Sequence, residues 1–132
     1  MDTLLPLTGC GLMIISLGYV ITFWFRTMSA FDKFVQYECE NLPEQWERDG
    51  QPFGMFWKPK DKKVRAINRY FFSNPGIAQF RLLFKTPDWI KEHPKAADHL
   101  KQIRRYTLFW NIGVIVWFAV VFPAIVFVFT PR

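Results

Sequence analysis

The stretch from Leu4 to Phe25 reads L-L-P-L-T-G-C-G-L-M-I-I-S-L-G-Y-V-I-T-F-W-F and contains no charged residue. Wound as a helix rising about 1.5 Å per residue, it is long enough to cross a hydrocarbon core of roughly 30 Å. A second charge-free run, Tyr106 to Pro131, reads Y-T-L-F-W-N-I-G-V-I-V-W-F-A-V-V-F-P-A-I-V-F-V-F-T-P. In a chain of 132 residues, too little other material remains to wrap both runs as buried helices of a soluble domain. The expected fold is all-α: a first transmembrane helix in residues 1–25, a helical cytoplasmic module over residues 26–105, and a second transmembrane helix in residues 106–132. A cleaved signal peptide is not expected. The segment ahead of the first run is acidic at Asp2 rather than basic, the run exceeds the roughly 7–15 residues of a signal core, and Met28-Ser29-Ala30 is a poor cleavage site.

Orientation follows from charge. Every lysine and arginine except Arg132 lies between Arg26 and Arg105, with Arg26 and Lys33 close after the first run. Lys91, Lys95, Lys101, Arg104 and Arg105 come close before the second. The positive-inside bias predicts a cytoplasmic connection and two short outer tails, a layout that suits a bacterial inner membrane. Trp24 and Trp110 fall near the cytoplasmic ends of the runs, where an indole sits well at headgroup level.

Neither run holds Asp, Glu, Lys, Arg or His, the side chains that proton relays, ion pathways and axial haem ligation use. No cofactor is expected, and enzymatic chemistry has little to stand on. The first run instead carries Gly11, Gly18 and Thr22 at seven- and four-residue spacings, a narrow face that permits close helix approach. Asn111 and Gly113 are expected at the same seam. The spacing leaves its occupant open: the second span, another copy of the chain in a homo-oligomer, or a larger membrane complex. Pro123 removes a backbone donor and is expected to bend the outer part of the second helix. Cys10, at membrane depth near the outer side, and Cys39, in the reducing cytoplasm, are not expected to pair.

The 80-residue connection shows local helical signals. Phe31, Phe34 and Val35 continue the first helix with one apolar face, Asp32 and Lys33 pointing elsewhere. Asn41-Leu42-Pro43-Glu44 reads as a capped start for a short helix bearing Trp46, with Gly50 as its stop. Asp61 is placed to cap a helix with Val64, Ile67 and Phe71 on its apolar face, ended by Ser73-Asn74-Pro75-Gly76. Ile77, Phe80 and Phe84 suggest another. Thr86-Pro87 opens a further one that contains Trp89 and breaks at His93-Pro94, after which Leu100, Ile103 and Thr107 lead into the second run.

Chemistry concentrates between Pro43 and Ala66. From Arg26 to Gly50 there are three basic and six acidic residues, and from Gln51 to Arg105 thirteen and four, for net charges of −3 and +9. The basic half is expected near anionic headgroups, at about 1 kcal/mol for each close cation. Gly50-Gln51-Pro52-Phe53-Gly54 lacks the order of a phosphate-binding loop. Phe53, Phe56 and Trp57 beside Lys58, Lys60, Lys62 and Lys63 offer rings and cations that suit base stacking. They suit a membrane surface, packing within the module or a protein partner without a further ligand, and nucleic acid is not expected. His93 and His99 stand six apart, off the spacing of a helical metal pair, with Glu92 and Asp98 nearest, so no metal site is expected.

Together with this layout, Gly50-Gln51-Pro52-Phe53, Lys63-Val64-Arg65, Arg69-Tyr70-Phe71 and Ile103-Arg104-Arg105 give the chain a resemblance to the universal stress protein B group of small bacterial inner-membrane proteins. The resemblance implies two spans around a helical cytoplasmic segment, a link to stationary-phase or membrane stress, and no defined reaction or catalytic residues. The longer loop with Trp46, Trp57 and Trp89 departs from that family's shorter pattern. A different class of function, an accessory subunit of a larger respiratory or transport complex, draws on the same glycine face and module.

Overall fold

The computed structural model describes residues 4–60 and 75–130. All regular elements among the described residues are helical. Helix α1 (Leu4–Asn41) is followed by α2 (Pro43–Arg48), α3 (Pro75–Phe84) and a 3-10 helix (Asp88–Glu92). Helix α4 (Pro94–Val116) then leads into a π-helical segment (Trp117–Val121) and α5 (Phe122–Phe129). The chain divides into two compact units, residues 1–25 with 106–132, and residues 26–105, so α1 and α4 each contribute to both. The expected helix around Val64, Ile67 and Phe71, with its cap at Asp61, lies outside the described residues.

The first unit contains the two apolar runs. Both helices are long and apolar enough to cross a membrane, and none of the most apolar stretch of either is buried. Leu12, Ile14, Ile15, Ile115 and Phe118 are all exposed. In water such a surface far exceeds the apolar patches a soluble monomer shows, and a hydrocarbon solvent removes the difficulty.

The two runs pack antiparallel. The Tyr19 hydroxyl donates to the Phe109 carbonyl at 3.3 Å, and the Phe23 ring lies 5.3 Å from that of Phe109 and 6.4 Å from that of Tyr106. Gly113 is the point of closest approach: a Cβ there would stand 2.6 Å from Tyr19 Cε1 and 3.3 Å from Val20 Cγ2. Gly11 and Gly18 are different. A Cβ at either would meet nothing within 4 Å, and Thr22 is exposed, its hydroxyl donating back to the Gly18 carbonyl at 2.7 Å. Asn111 is exposed as well. Of the five residues expected at a seam, Gly113 is the one that lies at the contact within this unit, and the Gly11–Gly18–Thr22 face is open.

Ahead of Pro123 the backbone widens into the π-helical segment, with the Phe122 N–H bonded to the Trp117 carbonyl five residues back. A proline lacks the donor and its ring crowds the carbonyl four residues earlier, and a π turn relieves that crowding.

In the second unit the apolar face of α1 forms the core. Ala30, Phe31, Phe34 and Val35 are buried with Trp46 of α2, Ile90 of the 3-10 helix and Ala96, Leu100 and Ile103 of α4. The Phe34 and Trp89 rings lie 5.6 Å apart. Two local expectations are corrected. Asn41 is the last residue of α1, and its amide donates to the Tyr37 carbonyl at 2.9 Å, so α2 begins from Leu42 with no side-chain cap, Pro43 supplying the preset first turn. Pro87, expected at the first position of a helix, is instead the N-cap of a 3-10 helix; that helix ends at His93, where the break was expected, and Pro94 then starts α4.

Leucine at Gly113 should therefore cost about 1–3 kcal/mol through overpacking, whereas leucine at Gly11 and Gly18 together should leave the monomer unaffected. Thermal unfolding of the detergent-solubilised variants checks this; equal losses in both would refute the assigned seam.

Candidate functional site

The loop that follows α2 is an ordered strap. Helix α2 ends in a Schellman arrangement in which the Gln51 N–H bonds the Trp46 carbonyl at 2.9 Å and the Gly50 N–H bonds the Glu47 carbonyl at 3.2 Å. That closure requires a left-handed residue, and Gly50 takes it at φ +88°. The Trp46 side chain is fully buried, and its indole N–H donates to the Pro52 carbonyl at 2.8 Å. The strap is thus tied to α2 at its start.

Asp32 ties it to α1. Its Oδ1 accepts the Met55 N–H at 2.7 Å, and its Oδ2 accepts those of Phe56 and Trp57 at 2.9 and 3.0 Å. Charge-assisted bonds of this kind are the strong ones, and here one side chain satisfies three successive donors of a segment that has no ladder of its own. Asp32, expected to face away from the core, is 7% exposed for this reason. Gly54 completes the fit: a side chain there would run into the Asp32 carboxylate and stand 3.2 Å from its Cα.

The result is a fixed presentation. Met55 and Phe56 are exposed, Phe56 at 59%, while Trp57 and Phe53 are half-buried. Lys58 and Lys60 are exposed, and the Lys58 ammonium stands 5.8 Å from the centre of the Phe53 ring. Between strap and α1 runs an open groove of about 640 Å³, lined by Gln36 and Glu40 on one side and by Trp57, Lys58 and Lys60 on the other. Of the expected surface residues, Phe53, Phe56, Trp57, Lys58 and Lys60 come together here. Lys62 and Lys63 lie outside the described residues. Trp24 and Trp110, half-buried, belong to the first unit.

A second carboxyl occupies the core face of α1. Glu38 is 2% exposed, and its Oε1 is enclosed without a hydrogen-bond partner among the described residues. Burial first, and then a hydrogen bond to Asp49 and the charge of Asp49, push its pKa up to about 9. Glu38 thus keeps its proton at neutral pH. A sequence signal existed for it, since residues 31, 34, 35 and 38 share one helical face.

His93 and His99 both flank Tyr37, at ring-centre distances of 6.3 and 6.4 Å. The Tyr37 hydroxyl lies 3.5 Å from His93 Nδ1. Burial, then the nearby Lys33 charge, lower the pKa of His99, with Asp98 opposing. These rings form an aromatic edge of the module with Trp89, which lies 6.1 Å from His93. Among the described residues, no three His, Cys, Asp or Glu side chains gather as metal ligands would.

Replacing Asp32 with Ala leaves three inward N–H groups without an acceptor and should cost about 3 kcal/mol. Hydrogen exchange at Met55, Phe56 and Trp57 should accelerate ahead of that of the helices; unchanged protection there would show that the strap does not depend on Asp32. For Glu38, an unfolded glutamate titrates near 4.5 and the folded one near 9, so between these values the folded state holds the extra proton. Stability should therefore fall as pH rises through this window, by up to about 1.4 kcal/mol per unit. Glu38→Gln should flatten the slope and raise stability at pH 8, as denaturation from pH 5 to 9 would reveal; a persisting slope would assign it to another group. Comparison with protein-family models, with curated proteins and with solved structures finds no match for this chain.

Proposed function

We propose that the chain is a small non-enzymatic protein of the bacterial inner membrane, its central module cytoplasmic and its outer tails periplasmic, that works by holding a preformed surface against anionic headgroups. One observation carries this reading: the Asp32 clamp fixes Phe56 outward beside Lys58 and Lys60. A ring and cations held ready lose little conformational freedom on meeting an interface, and both ends of the module are tethered to apolar spans. The interior carboxyls support the non-enzymatic reading. Asp32 is committed to backbone donors, and Glu38 is enclosed with its proton. The resemblance to the universal stress protein B group adds membrane stress as the setting.

An accessory subunit of a larger membrane complex is the second reading, favoured by the open Gly11–Gly18–Thr22 face and the exposed Asn111 amide in the apolar runs. A photo-crosslinking amino acid at position 56, activated in native membranes, separates the two. Phospholipid adducts are the expected product. A discrete protein adduct would support the accessory reading, and the absence of any adduct would overturn the surface contact.

A further inference from the structure

Helix α3, with the sequence P-G-I-A-Q-F-R-L-L-F, carries a second aromatic pair far from the strap in sequence. Phe80 and Phe84 stand one turn apart with ring centres 4.9 Å from each other, and they are 64% and 76% exposed. Leu82 and Leu83 are half-buried, while Arg81 and Lys85, each one residue after a phenylalanine and one turn apart, are exposed along one side of the pair. Two phenylalanines so exposed on a ten-residue helix form an apolar stripe with two cations along one edge. That is the layout of a helix lying in the plane of a membrane interface.

The stripe is held outward by a second clamp. Arg104 of α4 donates from Nε and Nη2 to the Leu82 carbonyl, at 3.2 and 3.0 Å, and from Nη2 to the Thr86 hydroxyl at 2.8 Å. The last turn of a helix leaves carbonyls without intrahelical partners, and a guanidinium fork satisfies one of them while meeting the negative end of the helix dipole. This fixes the end of α3 that bears Phe84. The rings are not a loose end that collapses onto the core.

We propose that α3 is a second membrane-docking element, inserting Phe80 and Phe84 below the headgroups of an anionic bilayer, with Arg81 and Lys85 at the phosphates. Charge selects this occupant: residues Gln51 to Arg105 carry a net +9, and Arg81 and Lys85 line one edge of the apolar stripe itself. The inference extends the surface reading of the strap to another element and rests on it only for the membrane's being the partner.

Site-directed spin labels test it in the full-length protein reconstituted into vesicles. With Cys10 and Cys39 replaced, labels are introduced singly as Phe80→Cys and Phe84→Cys, with Lys91→Cys as the water-facing control and Phe56→Cys as a report on the strap. In vesicles of phosphatidylcholine and phosphatidylglycerol at three to one, labels at 80 and 84 should collide several-fold more with oxygen, relative to an aqueous nickel chelate, than the label at 91. Arg81→Glu with Lys85→Glu should return them toward the control, and so should vesicles of phosphatidylcholine alone. Labels at 80 and 84 as open to nickel as that at 91 would overturn the proposal. Protection from both reagents would overturn it too, because a protein surface would then cover the stripe. Immersion at 80 and 84 with position 56 in water would leave the α3 proposal standing and remove the strap from the interface.

Discussion

One carboxylate receiving three consecutive backbone N–H groups organises the second unit. A segment such as Gly50–Lys60 has no helix or strand to absorb its polar backbone, and ordering each residue costs on the order of 1–2 kcal/mol in lost freedom. Asp32 offsets this at three residues in succession. The indole of Trp46 holds the Pro52 carbonyl, and the Gly54 N–H closes back on the Trp57 carbonyl at 3.0 Å. Each of these bonds constrains a different part of the strap, and together they fix which side chains look outward.

The same helix carries two acids with opposite tasks. Asp32 spends its oxygens on donors from a distant loop, and Glu38, under two turns farther on, keeps a proton in the core. Lys33 and Glu40 of that helix are exposed. A residue's place on the cylinder, rather than its type, decides whether it carries charge, holds backbone or fills space. Arg104 shows the same economy on α4, reaching a neighbouring helix end through its guanidinium while Leu100 and Ile103 beside it are buried.

The spans, the all-helical class and the core face of α1 were legible in the sequence, because apolar length and helical periodicity are local signals. Phe31, Phe34, Val35, Leu100, Ile103 and Thr107 are all buried as their spacing implied. The closure at Gly50 was legible too, since a left-handed cap favours glycine. The Asp32 clamp was not. It joins residues 23 to 25 positions apart, and its geometry depends on the missing side chain of Gly54, which in sequence looks like any loop glycine. Helix spacing in the apolar runs pointed to Gly11 and Gly18 as readily as to Gly113. Only Tyr19 and Val20 of α1, packed against Gly113, distinguish them. Asn41 followed by Pro43 and Glu44 had the letters of a helix start, but the helix before it had not yet ended.

The π-helical turn at Trp117–Val121 also alters how the outer part of the second span is to be read. An α-helix advances about 100° per residue, so one extra residue accommodated in a wide turn rotates everything beyond it by about that angle. Side chains of α5 are accordingly out of phase with those of α4, and an unbroken helical wheel drawn from Tyr106 to Pro131 assigns its last two turns to the wrong side. Phe122, Val126 and Phe127, with Pro123 and Thr130, border an open apolar hollow on that rotated face. The two halves of one hydrophobic run thus offer lipid or protein neighbours two different azimuths, and swapping residues between the halves by heptad position would not preserve either surface.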